Sequence, residues 1–413
     1  MPIDFILIMT ACIIGFIMSW GVGANDLANI MSPTIGSNAI SVRQAMIIAI
    51  IFEFAGALLG GNHVTTTIRT GIISLPELQG QPDILIYGML STLFAGATWM
   101  LLASYLGMPV SITNAIVGGL VGFGGLVLGL NAIHWGTVGQ IAISWICSPA
   151  IAALASFLLF NMIRLTIFNA NAPARNMRYF LPFYFILVGL VLANMTLIKG
   201  AQHLGFHFTL YSDIALNIIC AVIIAIIGSY IGFRIRQGKQ HKRFLQINYV
   251  ERLFSLLMAF TACAMIFAHG SNDVSIAMGP VSAIYSMTTQ GKITGHAPLE
   301  IMAFGCFGVV LGLLMYGRKV IITVGSNITD LTPSRAFAAT LAAATTVIVS
   351  TSTGIPVSAT QTLVGGVLGV GLARGIGALN IRVVSNILLS WFITIPATAA
   401  LNIAFFYLFM YVV

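Results

Sequence analysis

The chain has 413 residues, of which 58% are hydrophobic and only 7% charged, with a formal net charge of +8. A water-soluble domain of this size cannot cover so much apolar surface with so few charges, which excludes a soluble enzyme and leaves a bilayer as the solvent. The expected fold is an all-α polytopic membrane protein with about 10–12 membrane segments, each crossing needing roughly 20 residues.

In chain order, the apolar stretch 3–22 comes first. It is led by Asp4 and not by a basic region, and it is long enough to span, so it is read as a retained helix and not a cleaved leader. It ends at Gly23-Ala24-Asn25-Asp26, a polar, glycine-led break. Segment 42–61 carries Glu53 in the run IIFEFAGALL, and Thr65, Thr66 and Thr67 follow before Arg69. After 84–107 comes a Gly-rich stretch, 109–130, opening with Pro109-Val-Ser111-Ile-Thr113-Asn114. Segments 135–160, 181–200 and 211–233 follow. Arg164, Arg175 and Arg178 precede the last two; Arg234, Arg236, Lys239, Lys242 and Arg243 follow them, so both clusters share one side. The positive-inside rule makes that side cytoplasmic and the protein a multi-pass occupant of the cell (inner) membrane. The larger cluster is read as a retention charge and not as a nucleic-acid site.

Segment 253–270 runs into His269-Gly270-Ser271-Asn272-Asp273. Next come 298–317, with Glu300 at its start, and 335–353. A second Gly-rich stretch, 356–377, opens with Pro356-Val-Ser358-Ala-Thr360-Gln361, and 381–411 ends the chain. The two Gly-rich stretches are either spans or re-entrant half-helices. Five cysteines sit singly in apolar segments without metal or redox spacing and are read as small hydrophobes.

The chain is a duplication. Asp26 and Asp273, Pro109 and Pro356, and Ser111 and Ser358 are each 247 positions apart, in the same order. Ser144-Trp145 and Ser390-Trp391 repeat at nearly the same spacing. This divides the chain into a first repeat over 1–160, connecting spans and a basic loop over 161–252, and a second repeat over 253–413, each repeat carrying an ion and an anion half-site. Six or seven crossings separate the repeats, according to how 109–130 is scored, so the sequence leaves their relative orientation open.

A carboxylate at membrane depth costs several kcal/mol unless paired or given a cation. Asn25, Asp26, Asn272 and Asp273 therefore form a candidate site for a hard cation, with side-chain and carbonyl oxygens as ligands. The alternative is that each aspartate caps the helix that follows. Glu53 is a third carboxylate for the coupling ion, for a proton, or for a polar neighbour, and His269 is expected to make a structural hydrogen bond. The Pro-Val-Ser-x-Thr segments put hydroxyls and free N–H groups at helix starts, which suits a tetrahedral oxyanion. Ser111, Thr113 and Asn114 supply donors from one repeat and Ser358, Thr360 and Gln361 from the other; plain N-capping is the alternative. No nucleophile–base pair or metal-ligand cluster points to an enzyme.

At these residues the chain resembles the inorganic phosphate transporter (PiT), or phosphate permease, family. The duplicated Gly-Ala-Asn-Asp and Pro-Val-Ser-x-Thr motifs carry the likeness, with Val320–Gly325 and Ile328–Arg335 adding to it. The resemblance implies symport of phosphate with sodium, or with protons in some members, inverted repeats with broken helices and re-entrant hairpins, and a homodimer. It implies that Asn25, Asp26, Asn272 and Asp273 bind sodium and help close the anion site, while Ser111, Thr113, Ser358 and Thr360 hold phosphate. No cofactor is expected beyond the coupling ion. Where many relatives read Ser-Thr-Thr-His, this chain has Ser111-Ile-Thr-Asn114 and Ser358-Ala-Thr-Gln361, and Thr340 stands where many place a glutamate. These departures bear on anion selectivity and ion stoichiometry and keep proton-coupled phosphate or sulfate permeases of the same fold as competing readings; an ion channel, where repeated breaks also occur, is a further one.

Overall fold

The computed structural model describes residues 3–73, 82–194, 210–235, 242–293, 297–317, 330–375, 377 and 379–412. Arg236, Lys239 and the stretch Val320–Gly325 with Ile328 and Thr329 lie outside them. The described residues are helical, apart from connecting turns and one isolated β-bridge between Ile73 and Ile133. Nine helical runs among them are long and apolar enough to cross a bilayer. Ile143, Ile146, Leu154 and Leu158 on one run, and Phe392 and Leu408 on another, form outward apolar faces that only lipid solvates. The protein is a multi-pass membrane protein.

The first apolar run does not end at Gly23. Helix α1 (Ile3–Val22) widens into a π-helical turn, Gly23–Leu27, and continues as α2 (Ala28–Gly36). Likewise α10 (Arg243–His269) passes through a π-turn, Gly270–Val274, into α11 (Ser275–Gln290). The break expected at both motifs is thus a bulge. Water is not available there to solvate an unwound backbone, and a π-turn displaces the chain locally while leaving most carbonyls bonded.

Between these rods lie α3 (Val42–Gly60), started by a Ser41–Gln44 capping box, and the short α4 (Asn62–Thr66), which ends in a π-turn, Thr67–Gly71. Then come α5 (Pro82–Leu106), α6 (Ile112–Phe123) and α7 (Trp135–Ile163). Two connecting helices, α8 (Pro173–Ala193) and α9 (Leu210–Arg234), lead to α10. After α11 the order repeats with α12 (Leu299–Gly312), α13 (Pro333–Ser352), α14 (Ala359–Arg374) and α15 (Ile381–Val412).

Helices α5 and α6 pack as a hairpin, as do α13 and α14, and the two tips meet at the centre. Helix α13, expected as a span from 335–353, is not among the nine: it is rich in alanine and threonine, and protein, not lipid, covers most of its side chains. Each hairpin's second arm runs along the last helix of the other repeat. Asn114 donates to the Trp391 carbonyl (3.3 Å), Gly122 lies against Ala399, and the Phe123 and Phe406 rings are 5.2 Å apart, so α6 follows α15. Thr362 meets Ser148 (3.1 Å), Ser156 donates to the Gly366 carbonyl (2.7 Å) and Arg164 to the Ala373 carbonyl (3.1 Å), so α14 follows α7. Since α7 starts where α6 ends and α15 starts where α14 ends, the two hairpin arms leave the centre for opposite ends. The end reached by α14 is the basic one, where Arg164, Arg243, Arg335 and Arg374 each donate to a backbone carbonyl.

Candidate functional site

Both π-turns face the hairpin tips. Asn25 and Asp26 on the first, and Asn272 and Asp273 on the second, are buried. None of the four caps the helix that follows it, so that capping alternative fails for both aspartates. Asn25 donates to the Met108 carbonyl (3.0 Å) and to Ser104 Oγ (3.4 Å), gripping the end of α5, and Asn29 donates to its Oδ1 (3.1 Å). Asn272 grips the second tip: its amide nitrogen donates to the Val357 carbonyl (2.6 Å) and to Asp273 Oδ1, and its oxygen accepts the Val357 N–H (3.3 Å). Each asparagine thus reads the backbone of the hairpin in its own repeat.

The threonines cross over. Thr113 on the first tip donates to the Val357 carbonyl on the second (2.9 Å), and Thr360 on the second tip donates to Asp26 Oδ1 on the first π-turn (3.1 Å). The other Asp26 oxygen accepts the Ile112 N–H at the start of α6 (3.3 Å). One carboxylate therefore ties together the first rod, the first hairpin and the second hairpin. Charge-assisted bonds of this kind are worth about twice a neutral one, and here they compensate a buried charge.

Ser111 and Ser358 take the capping role: their hydroxyls accept from the Asn114 N–H (3.4 Å) and the Gln361 N–H (3.1 Å). Capping occupies a lone pair and leaves each O–H able to donate. The side-chain oxygens of Asn114 and Gln361, at equivalent places, are buried without a hydrogen-bond partner among the described residues. Buried polar atoms left open in this way keep bonding capacity for a water or a ligand.

Glu53 is brought to the second π-turn and not the first. Its Oε1 lies 2.7 Å from His269 Nδ1, and His269 Nε2 lies 3.1 Å from Asp273 Oδ2, so a carboxylate–imidazole–carboxylate chain runs from α3 to the turn. Gly270 packs on the Glu53 carbonyl and Gly23 on the Val309 carbonyl, so Glu53 and Val309 hold equivalent places, as do His269 and Val22. The second half-site thus carries a buried polar chain where the first carries two valines. Thr340, also buried, has a hydroxyl without a partner among the described residues.

Two further residues belong to the site. Ser144 and Ser390 donate to Pro356 and Pro109 carbonyls (3.5 and 3.0 Å), each holding the tip of the opposite repeat. The adjoining Trp145 and Trp391 indole nitrogens are buried without a partner among the described residues. Their repetition was visible in the sequence; their work on the tips was not.

Among the described residues no three His, Cys, Asp or Glu side chains are grouped to hold a metal ion. The oxygens gathered at the centre are amide, carboxylate and backbone oxygens, the donor type that suits a hard cation.

Residues 22–402 match the Phosphate transporter family. The chain is 43% identical over 407 residues to a candidate phosphate permease of Haemophilus influenzae, covering 97% of this chain and 96% of that one. It is 38% identical over 418 residues to the chloroplastic inorganic phosphate transporter 2-1 of Arabidopsis thaliana, covering 96% of this chain and 71% of the relative. A solved structure described as the sodium-dependent phosphate transporter superposes with a TM-score of 0.90 at 36% identity, covering 98% of this chain and all of that one. With the paired π-turns and hairpin tips in place and the match spanning nearly its full length, the chain belongs to the phosphate transporter family.

Proposed function

We propose that this protein is a secondary active symporter that carries inorganic phosphate together with sodium, by alternating access at the centre between the two repeats. The observation that carries the reading is Asp26, whose two oxygens accept from Ile112 on one hairpin and Thr360 on the other. A ligand bound between two tips that leave for opposite ends is released to either side when one tip moves away, without a passage open throughout. This favours a carrier over a channel.

Sodium is taken by Asn25, Asp26, Asn272 and Asp273 with nearby backbone oxygens. The relative named as sodium-dependent supports sodium over the proton. Phosphate is held by Ser111, Thr113, Asn114, Ser358, Thr360 and Gln361, whose donors carry no formal charge, with Thr113 and Thr360 turning from the Val357 carbonyl and Asp26 to donate to it. Their neutrality favours release, since a buried ion fully paired with arginine leaves slowly. Cation and anion also offset one another's charge in the site, which makes binding of each depend on the other. Protonated phosphate, unlike sulfate, can donate a hydrogen bond to a carboxylate such as Asp26, so the acidic centre favours phosphate. The opposed hairpins support an inverted arrangement of the repeats.

The test is uptake of labelled phosphate into proteoliposomes with and without an inward sodium gradient, against excess unlabelled sulfate. Sodium-dependent uptake untouched by sulfate is the expected result. Uptake driven by a proton gradient alone overturns the choice of ion, and accumulation of sulfate in place of phosphate overturns the choice of anion.

A further inference from the structure

We propose that the segment Asn62–Gly71 is the gate on the side of the centre away from the basic end, fastened by Thr67 to the second hairpin tip and by Arg69 to α11. The gate rests on the transport reading above and deepens it, naming the part that moves at that end.

The segment is built as a plug. Val64, Thr65, Ile68 and Arg69 are buried, whereas His63 and Thr66 are exposed, so a ten-residue stretch has a wet polar outer face and a sealed inner one. Its threonines reinforce it locally, with Thr65, Thr66 and Thr70 each donating to the carbonyl four residues back. Its place is fixed by the Ile73–Ile133 bridge and the His134 N–H bond to the Ile72 carbonyl (2.9 Å), both at the α6–α7 connection opposite the basic end.

Bonds to two different elements help to fasten it. Thr67 Oγ1 donates to the Gly354 carbonyl (2.8 Å), at the turn where α13 gives way to the second tip. Arg69 donates to Ser286 Oγ (2.7 Å), near the far end of α11, and Ile68 packs on Gly279 between them. Both of these bonds go to uncharged partners, and Thr67 Oγ1 also reaches the His63 carbonyl of its own helix (3.2 Å).

The root of the plug lies on the ion site. A Cβ on Gly60 would stand 2.8 Å from Ser271 Cβ, and one on Gly61 would strike Ser275 Oγ. The Gly60–Gly61 joint between α3 and α4 thus rests on the turn that bears Asp273. A change in that turn on ion binding is transmitted directly to the plug.

The two tips differ slightly in cover. Gly354 is half-buried and Pro356 buried where Gly107 is exposed and Pro109 half-exposed, while Ser352 and Thr353 are exposed like Tyr105 and Leu106. The second tip is thus the more enclosed of the two at its glycine and proline only.

The experiment uses the full chain with its five cysteines replaced, carrying Ile68→Cys and Gly279→Cys. The Gly279 Cβ position is 2.9 Å from Ile68 Cβ, and a disulfide spans about 3.5–4.5 Å between Cβ atoms, so a sub-ångström shift suffices. Oxidation is expected to cut phosphate uptake in proteoliposomes by at least about tenfold, and reductant to restore it, since a gate that cannot open blocks each turnover. Each single-cysteine variant should ignore the oxidant. Full uptake by a pair shown by mass spectrometry to be fully oxidised overturns the gate. Absence of phosphate uptake in the reduced pair and the parent chain overturns the transport reading, and the gate with it. A second measurement needs no transport: Thr67→Val should speed the labelling of Val64→Cys by a membrane-impermeant thiol reagent several-fold, and an unchanged labelling rate overturns the clasp.

Discussion

At the scale of single residues the centre depends on what crosses between repeats. In Asp26→Asn the amide oxygen can still accept the Ile112 N–H and the amide nitrogen can donate to Thr360 Oγ1, whose hydroxyl turns to accept, so the change removes chiefly the charge. Uptake should fall to background while the amount in the membrane, read by immunoblot, is unchanged; Asp273→Asn should do the same, and normal uptake in either clears that residue of a role. Thr360→Val removes one donor and keeps the shape, and should weaken the apparent affinity for phosphate by about tenfold, or ~1.4 kcal/mol. Ser358→Ala should weaken apparent anion affinity more than sodium affinity in the same assay, with cap loss seen separately as a lowered melting temperature. Duplication made Asn25, Asp26, Asn272, Asp273 and the tip hydroxyls legible in the sequence, because chance does not repeat a buried polar motif in order. The bonds that give them meaning were not legible. Thr360 and Asp26 are 334 positions apart, and no local pattern records a contact of that range.

At the scale of elements, periodicity and punctuation located the helices, and Pro109 and Pro356 marked the hairpin tips. The π-turns escaped, since an inserted residue leaves no trace in a run that is apolar on all sides; Gly23 and Gly270 suggested a break where the structure has a bulge. Those glycines serve close approach: a Cβ on Gly270 would enter the Glu53 carbonyl, and one on Gly23 the Val309 carbonyl. Gly270→Ala should therefore destabilise the protein by about 1–3 kcal/mol, the usual range for overpacking, read as thermal unfolding in detergent. Gly136→Ala, in a helix with open space around its Cβ, should be neutral or stabilise by up to ~1 kcal/mol.

At the scale of the whole molecule, composition alone fixed the class and the basic clusters suggested the orientation. The number of crossings could not be read, because α5 and α13 are as long as spans and only their tip-to-tip meeting shows that they stop at the centre. The basic end should face the cytoplasm. In a cysteine-free background, Lys242→Cys should react with an impermeant thiol reagent only after the cells are permeabilised, and His134→Cys should react in intact cells; the reverse pattern would invert the orientation.

The exchange of arms between repeats also sets a timetable for biosynthesis. Ser91 and Thr92 on the first hairpin find their partner in Asn402, Trp99 finds Thr394, and α6 lies along α15. The Ser91–Asn402 pair spans 311 positions, so at about 5–20 residues per second the ribosome supplies the second half roughly 15–60 s after the first. For that interval the hairpin waits in or beside the bilayer with the Trp99 indole unsatisfied and the Ser91 and Thr92 hydroxyls bonded only to the Gly88 carbonyl of their own helix. A chain that stalls near its C-terminus leaves the early hairpin orphaned, and should be a preferred substrate for membrane quality-control proteases.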